Sequence, residues 1–455
     1  MKHASTLFFL LSFYTISNFL TSSQVAAGKL SFIRDTEIEN IIQNYATPVF
    51  SAAQLNPSSI KIYIIKDENL NAFVANGQNI FINSGLLLKS GSADEIIGVI
   101  AHEVGHIAGG HLSRKRDALS KFSISNILSL ALSGAATIAT KRGDVGNAIF
   151  GAGQSIGQQT FLAYNRAQES AADHAALKYL ELTKQSAQGL LKFMTYLAKQ
   201  ESLNLSGRNN YLRSHPLSND RIISIKNHIK QSRYSRTPLS SYKLKSHSRL
   251  KAKMFAFLEN PNEVLQKLSR TDESLASEYA KSIAMHRLSK TENAITILDR
   301  LIKKSPLDPY LLELKSMFLF ESGKGTESLP YLNKAIALLP EAPLLRQMAA
   351  KIQLELNDPD LISTAIENLK IALLFEPKSN TTWYQLAIAY GRSGNKGMSS
   401  LALAEQNFII KKFKDAMYHA KRAEHFLAKG SREWLQTQDI IRSIEIQKRH
   451  KRRNE

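Results

Sequence analysis

Residues 102–106 read His102-Glu103-Val104-Gly105-His106, and the reading of the first half of the chain starts from how these five residues must be placed. On an α-helix the two histidines stand one turn apart on one face, so both can reach a single metal ion. Glu103 lies about 100° around the same helix, where it can take the proton of a water activated beside that ion. The flanking sequence supports a helix. Ser92 followed by Glu95 is the pattern of a capping box, and Asp94 adds negative charge to the first turn. Ile96, Ile97, Val99, Ile100 and Ala101 then make the segment apolar almost all round, which implies burial. Two histidines and a glutamate buried on such a helix are costly without partners, and a metal ion satisfies all three.

A catalytic zinc site needs a third protein ligand and an open position. A metzincin would carry a histidine at position 112, but that residue is Leu112, and His111 is one step out of phase, so this layout is excluded. About sixty residues downstream, Asn165-Arg166-Ala167-Gln168-Glu169-Ser170-Ala171-Ala172-Asp173 places Glu169 and Asp173 one helical turn apart. Glu169 is the expected third ligand. Asp173 is expected to accept the free ring N–H of a ligating histidine, fixing its tautomer.

Several segments together resemble the gluzincin group that contains HtpX and the CAAX-prenyl proteases. They are the HEVGH helix, the later ExxAD segment, Ile33-Arg34-Asp35-Thr36-Glu37-Ile38-Glu39, Asn71-Ala72-Phe73 through Ile80-Phe81-Ile82-Asn83-Ser84-Gly85, and Ser214-His215-Pro216-Leu217. With an export signal in front and helical repeats behind, the chain looks most like the soluble periplasmic BepA-like branch, whose members are proteases and chaperones. The resemblance implies one Zn2+ per chain held by His102, His106 and Glu169. Glu103 would be general base and then proton donor, and His215 would sit on a loop over the site. Family members hold that loop histidine near the metal, where it can act as a fourth ligand closing the resting enzyme; on physical grounds it can instead donate to a developing oxyanion. The implied clients are unfolded or misassembled outer-membrane proteins in the periplasm, with the repeats recruiting them or the outer-membrane assembly machinery. The competing class is a binding protein, a chaperone or assembly scaffold in which proteolysis is latent.

The chain has 455 residues, 43% of them hydrophobic, enough for two or three domains. Lys2, an apolar run from Leu7 to Leu20 and Val25-Ala26-Ala27 fit a signal peptide over 1–27, removed on export. Cysteine is absent, which excludes a lipidated cysteine, a disulfide framework and a thiolate metal site. The net charge of +20 is spread along the sequence, with one dense run, Lys448-Arg449-His450-Lys451-Arg452-Arg453. That run reads as a solvated, disordered basic tail over 446–455, suited to an anionic membrane surface or an acidic protein. In an exported protein, nucleic acid is not an expected partner.

Ser123 to Ala139 is apolar but interrupted by serines, marginal for a membrane span, and reads as an amphipathic lid beside the cleft with possible membrane contact or as packed helices beneath it. Upstream, Ile60 to Lys66 and Asn79 to Ile82 suggest a small strand pair. Asn71, Ala72 and Phe73 are the candidate substrate-binding strand, since an edge strand can pair with extended polypeptide through main-chain hydrogen bonds.

From about residue 274 the pattern changes. Ala294, Leu298 and Pro306 recur 34 residues later as Ser328, Leu332 and Pro340, and 37 later again as Ala365, Leu369 and Pro377, while Ala335 and Ala372 share a further phase. This is the tetratricopeptide period. Trp383, Leu386, Ala387, Tyr390 and Gly394 fit the first helix of another unit, giving four helix pairs and a degenerate fifth through Trp434. Tyr234 to His247, rich in Ser, Arg and Lys, reads as the linker, and Met254 to Leu268 as the solenoid cap. The expectation is a mainly α protein. A helical zincin-type metalloprotease domain with a small β-sheet (28–250) precedes an all-α tetratricopeptide solenoid (251–445).

Overall fold

The computed structural model describes residues 31–75, 77–111, 113, 165–202, 211, 215–268 and 272–454. The expected signal peptide at 1–27 and the apolar segment 123–139 lie outside the described residues.

The first helix, α1 (Thr36–Ala52), starts at Asp35, whose side chain accepts from Ile38 N at 2.9 Å, and Glu37 and Glu39 complement the helix dipole in its first turn. Ile38, Ile41, Ile42, Tyr45, Ala46, Val49 and Phe50 recur at helical spacing and are all buried, so α1 presents one continuous face to the core. That face packs on a four-stranded sheet of β1 (Phe32–Ile33), β2 (Ile62–Ile65), β3 (Ala72–Ala75) and β4 (Asn79–Asn83), in the order β1-β2-β4-β3. The expected strand pair needs correction. The segments around Ile62 and Ile80 are neighbours, but they run parallel (Ile62↔Ile80, Ile64↔Ile82). Parallel strands cannot be joined by a tight turn, and the intervening chain forms β3, which returns antiparallel to β4 (Phe73↔Phe81) and makes one edge of the sheet. Ile64, Ala72, Ile80 and Ile82 face the core. The opposite face carries a row of rings, Phe32, Tyr63, Phe81 and Phe73, with successive centroids 5.2–5.8 Å apart.

After α2 (Ser84–Lys89) comes α3 (Ala93–Ala108), the helix that carries the metal motif, buried from Ile96 to Gly105. Its start differs from the expected capping box. The Ser92 side chain caps no backbone N–H; Glu95 instead accepts from Gly91 N at 3.0 Å and lies 3.4 Å from Ser92 Oγ. The helix spanning 165–182 (α4) and α5 (Gln188–Ser202) pack against α3 at its glycines. A Cβ on Gly105 would lie 2.6 Å from the Ala172 carbonyl oxygen, so only glycine lets α4 come close enough to put Glu169 and Asp173 beside the histidines.

Beyond α6 (Asn219–Gln231), the segment 232–240 connects to α7 (Ser241–Leu258). The linker expected over Tyr234–His247 is therefore mostly wrong at its C-terminal end. The Ser-, Lys- and Arg-rich stretch is the solvated side of an amphipathic helix whose other side is buried. Tyr45 OH lies 2.7 Å from Ser246 Oγ, and His247 Nε2 lies 3.0 Å from Ser90 Oγ. Position 250, where the two domains were expected to part, lies inside α7. Leu250 and Met254 belong to the first core, and Ala256, two residues later, belongs to that of the first repeat.

With α8 (Pro261–Lys267) at its head, the solenoid comprises five helix pairs: α9 (Leu275–Arg287) with α10 (Thr291–Lys304), α11 (Pro309–Glu321) with α12 (Gly325–Leu338), α13 (Pro343–Glu355) with α14 (Pro359–Phe375), α15 (Asn380–Arg392) with α16 (Lys396–Ile409), and α17 (Phe413–Phe426) with α18 (Arg432–Asn454). Ala294, Leu298, Ser328, Leu332, Ala335, Ala365, Leu369 and Ala372 are all fully buried, each sealing one pair against the next. The chain is thus mainly α, a helical domain with a small sheet followed by an all-α solenoid. The basic tail is not disordered as expected. α18 runs to Asn454, because Ile440, Ile441 and Ile444 anchor its first half and the following Gln, Lys and Arg residues are good helix formers that extend it.

Candidate metal centre

Four side chains from three parts of the peptide chain converge on one point. His102 and His106 come from α3, Glu169 from α4, and His215 from the segment leading into α6. Each offers one ligating atom, and the four atoms lie within 4.8 Å of one another. His102 Nε2 is 3.1 Å from His106 Nε2, 3.3 Å from His215 Nδ1 and 3.2 Å from Glu169 Oε2. Glu169 also lies 3.4 Å from His106 Nε2 and 3.1 Å from His215 Nδ1.

The outward nitrogens of both motif histidines are occupied. His102 Nδ1 lies 2.9 Å from Asp173 Oδ1, and His106 Nδ1 lies 2.9 Å from His111 Nδ1. With Nδ1 of His102 donating to the carboxylate, its Nε2 lone pair points inward, toward the lone pairs and carboxylate of its neighbours. Nitrogen atoms crowded at about this separation around a carboxylate are what a shared cation would organise, so the donor set fits a zinc ion of N and O ligands.

Glu103 sits beside this cluster and is fully buried. Both its carboxylate oxygens are out of solvent without a hydrogen-bond partner, and Oε1 is 3.5 Å from His215 Nε2. Burial raises its pKa. With no ion competing for Nε2, burial opposes charge on His102 too, but the bonds to Asp173 and Glu169 prevail and carry it up to about 9, so a metal ion would have to displace a proton there to use that lone pair. His106, buried beside three other imidazoles, is pushed well below the usual histidine range. Glu169 and Asp173 are both held below the usual carboxylate range: burial works the other way, but hydrogen bonds from His102 and His215 to the first, and from Arg221 and His102 to the second, outweigh it.

Three residues of the site were not singled out from sequence for the part they play. Arg221, from α6, donates from Nε to Asp173 Oδ2 (2.6 Å) and from Nη2 to Asp173 Oδ1 (2.9 Å), while Nη1 donates to the Pro216 carbonyl (2.8 Å) and lies 3.2 Å from Glu169. One guanidinium thus ties α4 to the loop bearing His215. Nothing in its local sequence marks it, since it is one of several charged residues on an amphipathic helix. His111 was weighed only as a ligand at metzincin spacing, yet it is the partner of His106. Tyr211 is buried, stacks on His215 (centroids 4.6 Å apart, planes at 29°) and meets Phe193 edge-on, which fixes the imidazole plane.

The candidate substrate strand is placed at the sheet edge next to α3. β3 starts at Ala72, with Asn71 just before it accepting from Asn83 N at 2.9 Å. Ala72 is buried, and the Phe73 ring stacks on Phe81, so what β3 can offer outward is main chain.

Residues 33–229 match the profile of Peptidase family M48. The N-terminal domain is similar to that family over these residues and is called the M48 domain from here on. The chain is also similar to the beta-barrel assembly-enhancing protease of Yersinia pestis, 23% identical over 392 residues that span 83% of this chain and 78% of the relative. The protein of the same name from Escherichia coli K12 is 20% identical over 83% of this chain and 77% of its own length. Among solved structures, YrrB, a TPR protein with an unusual peptide-binding site, covers 38% of this chain and 91% of its own at 14% identity and a TM-score of 0.32. Among the described residues of the M48 domain and the solenoid, no helix is long and apolar enough to cross a membrane.

Proposed function

We propose that the M48 domain is a zinc-dependent endopeptidase of the periplasm that cleaves misfolded or stalled outer-membrane proteins recruited by the solenoid. The observation that carries this reading is the convergence of His102, His106 and Glu169 with Glu103 unpartnered beside them. These three residues would hold the ion. When bound, zinc supplies Lewis acidity that polarises a peptide carbonyl and acidifies water. Glu103, desolvated and without a hydrogen bond, accepts the proton of the attacking water and passes it to the leaving nitrogen. Asp173, locked by Arg221, holds the His102 tautomer, and the β3 edge receives extended substrate through its main chain. The name that the relatives carry, beta-barrel assembly-enhancing protease, supports the client class.

His215 bears on resting activity. Its Nδ1 is turned into the ligand cluster, against Glu169 and His102, and the stacked Tyr211 holds it there. This favours a resting enzyme closed by His215 as fourth ligand, with the solenoid acting as chaperone or assembly scaffold until the loop moves.

Metal analysis of the purified protein beside a casein-cleavage assay tests both parts. Glu103→Gln should retain zinc and lose roughly 10²–10⁴-fold in cleavage; full activity would sink the mechanism. His215→Ala should raise basal cleavage by opening the fourth position. A fall of about a hundredfold with zinc retained would make His215 an oxyanion donor instead.

A further inference from the structure

The contact between the M48 domain and the first two repeats is built from charge. Asp35 and Glu37 at the start of α1 meet Arg249 and Lys253 of α7, Tyr279 of α9, and Asp308, Tyr310 and Glu313 at the start of α11. Lys253 Nζ lies 2.8 Å from Asp35 Oδ2 and 3.3 Å from Glu37 Oε2, and Arg249 Nε lies 2.6 Å from Glu37 Oε1. Arg249 also pairs with Asp308, and Tyr279 OH donates to Glu37 Oε2 at 2.7 Å. Asn40 donates to Tyr310 OH at 3.2 Å. Glu313 faces this group across the junction. Its Oε1 accepts from Thr36 Oγ1 at 2.7 Å, while its Oε2 is out of solvent with no hydrogen-bond partner.

The cluster is unbalanced. Asp35, Glu37, Asp308 and Glu313 are four carboxyls facing two cations, Arg249 and Lys253, and the one with an unsatisfied oxygen is Glu313. A desolvated carboxylate oxygen without a donor, next to other carboxylates, is costly. A proton on that oxygen replaces the cost of a buried charge by the much smaller one of a neutral carboxyl.

We propose that this junction is a proton-linked clasp. Glu313 is a neutral carboxylic acid while the solenoid is closed on the M48 domain, and its ionisation loosens the contact. Burial first, and then the charges of Asp35 and Glu37 against the opposing effect of Lys253 and of the Thr36 hydrogen bond, push Glu313 up to about 7 from an ordinary 4.5. Because the closed-state value is the raised one, the stabilisation is fully present below the ordinary carboxyl range. It is lost as pH rises through about 7. Within that window the closing equilibrium should weaken by up to about tenfold per pH unit. The inference is independent of the proteolytic reading.

Hydrogen exchange of the full-length chain tests it through the protection of the α1 amides from Ile38 to Ile42, corrected for the intrinsic pH dependence of exchange. Protection should fall severalfold or more between pH 5 and pH 8 in the wild type and stay level in Glu313→Gln. Thr36→Val removes the hydroxyl that stabilises the ionised form, so it should move the transition to higher pH. It also serves as the deciding variant if Glu313→Gln does not fold. Protection independent of pH in the wild type, an unchanged profile in Glu313→Gln, or an unmoved midpoint in Thr36→Val overturns the proposal.

Discussion

The metal centre and the solenoid are assembled by opposite strategies. At the metal centre every contact is long-range and particular. His102 reaches Asp173, 71 residues away, and His215, 113 residues away, and one arginine braces both segments. In the solenoid, contacts lie mainly between successive helices and repeat with the tetratricopeptide period. Small or aliphatic residues occupy equivalent buried positions from one pair to the next. Chemistry at the first region therefore depends on single atoms, whereas architecture at the second depends on a pattern that tolerates exchange.

The largest contrast should appear on removing one side chain from each. Glu169→Ala removes a proposed ligand and the carboxylate that faces three imidazoles, so zinc content measured by atomic spectroscopy should collapse along with activity. Stoichiometric zinc at normal affinity in that variant would show that the third ligand lies elsewhere.

Truncation sharpens the comparison next. Sequence alone places chemistry and recognition in separable halves, so a cut after residue 270 would spare cleavage of a small unfolded substrate. The structure reverses that expectation. Such a cut strips Tyr279, Asp308 and Glu313 from Glu37, Arg249 and Thr36 and bares Phe255, Ala256 and Phe257, which pack on the first repeat, so it should lower the melting temperature of the M48 domain and its activity with it. A cut after Lys411 leaves this junction whole and should change neither. Equal melting temperatures for the two truncations would contradict the account.

The smallest difference concerns two glycines inside helices. In Gly105→Ala the new methyl meets backbone, Ala172 O at 2.6 Å, and α4 must shift, so the cost should be about 2–4 kcal/mol, with weakened zinc binding. In Gly397→Ala the nearest atom is the end of a leucine side chain, Leu427 Cδ2 at 2.9 Å, which can rotate. The gain of about 1 kcal/mol in helix propensity should leave stability within about 1 kcal/mol of wild type. Chemical denaturation followed by circular dichroism of both variants measures the pair.

The same contrast explains what could be read from the sequence. Helical residues with a fixed short spacing are legible, which is why His102, Glu103 and His106, the Glu169–Asp173 turn and the repeat phases at Leu298, Leu332 and Leu369 were found. Residues that meet only after the chain has folded are not. Arg221 carries no local signal, His111 acts through its neighbour rather than as a ligand at expected spacing, and the buried side of α7 is hidden beneath a composition that reads as linker. Asn71 to Phe73 reads as an edge strand, but its place in the sheet does not show, because four residues between two stronger strands leave too short a pattern to reveal that β2 and β4 run parallel.

The turns inside the first four helix pairs share one backbone joint. In each, the second residue after the helix is left-handed: Ser289 (φ 61°), Gly323 (79°), Asn357 (55°) and Gly394 (75°). At Gly323 and Gly394 nothing stands within 4 Å of where a side chain would begin, so space does not select glycine there, and the dihedral alone does. Serine and asparagine accept the same dihedral at a cost of about 1 kcal/mol, which the stacking of the pairs outweighs. The angle at which each unit departs from the last is thus set by the neighbours it rests on and not by the residue at the bend. A lineage of such chains can rewrite its bends freely and still keep the same stacking of pairs.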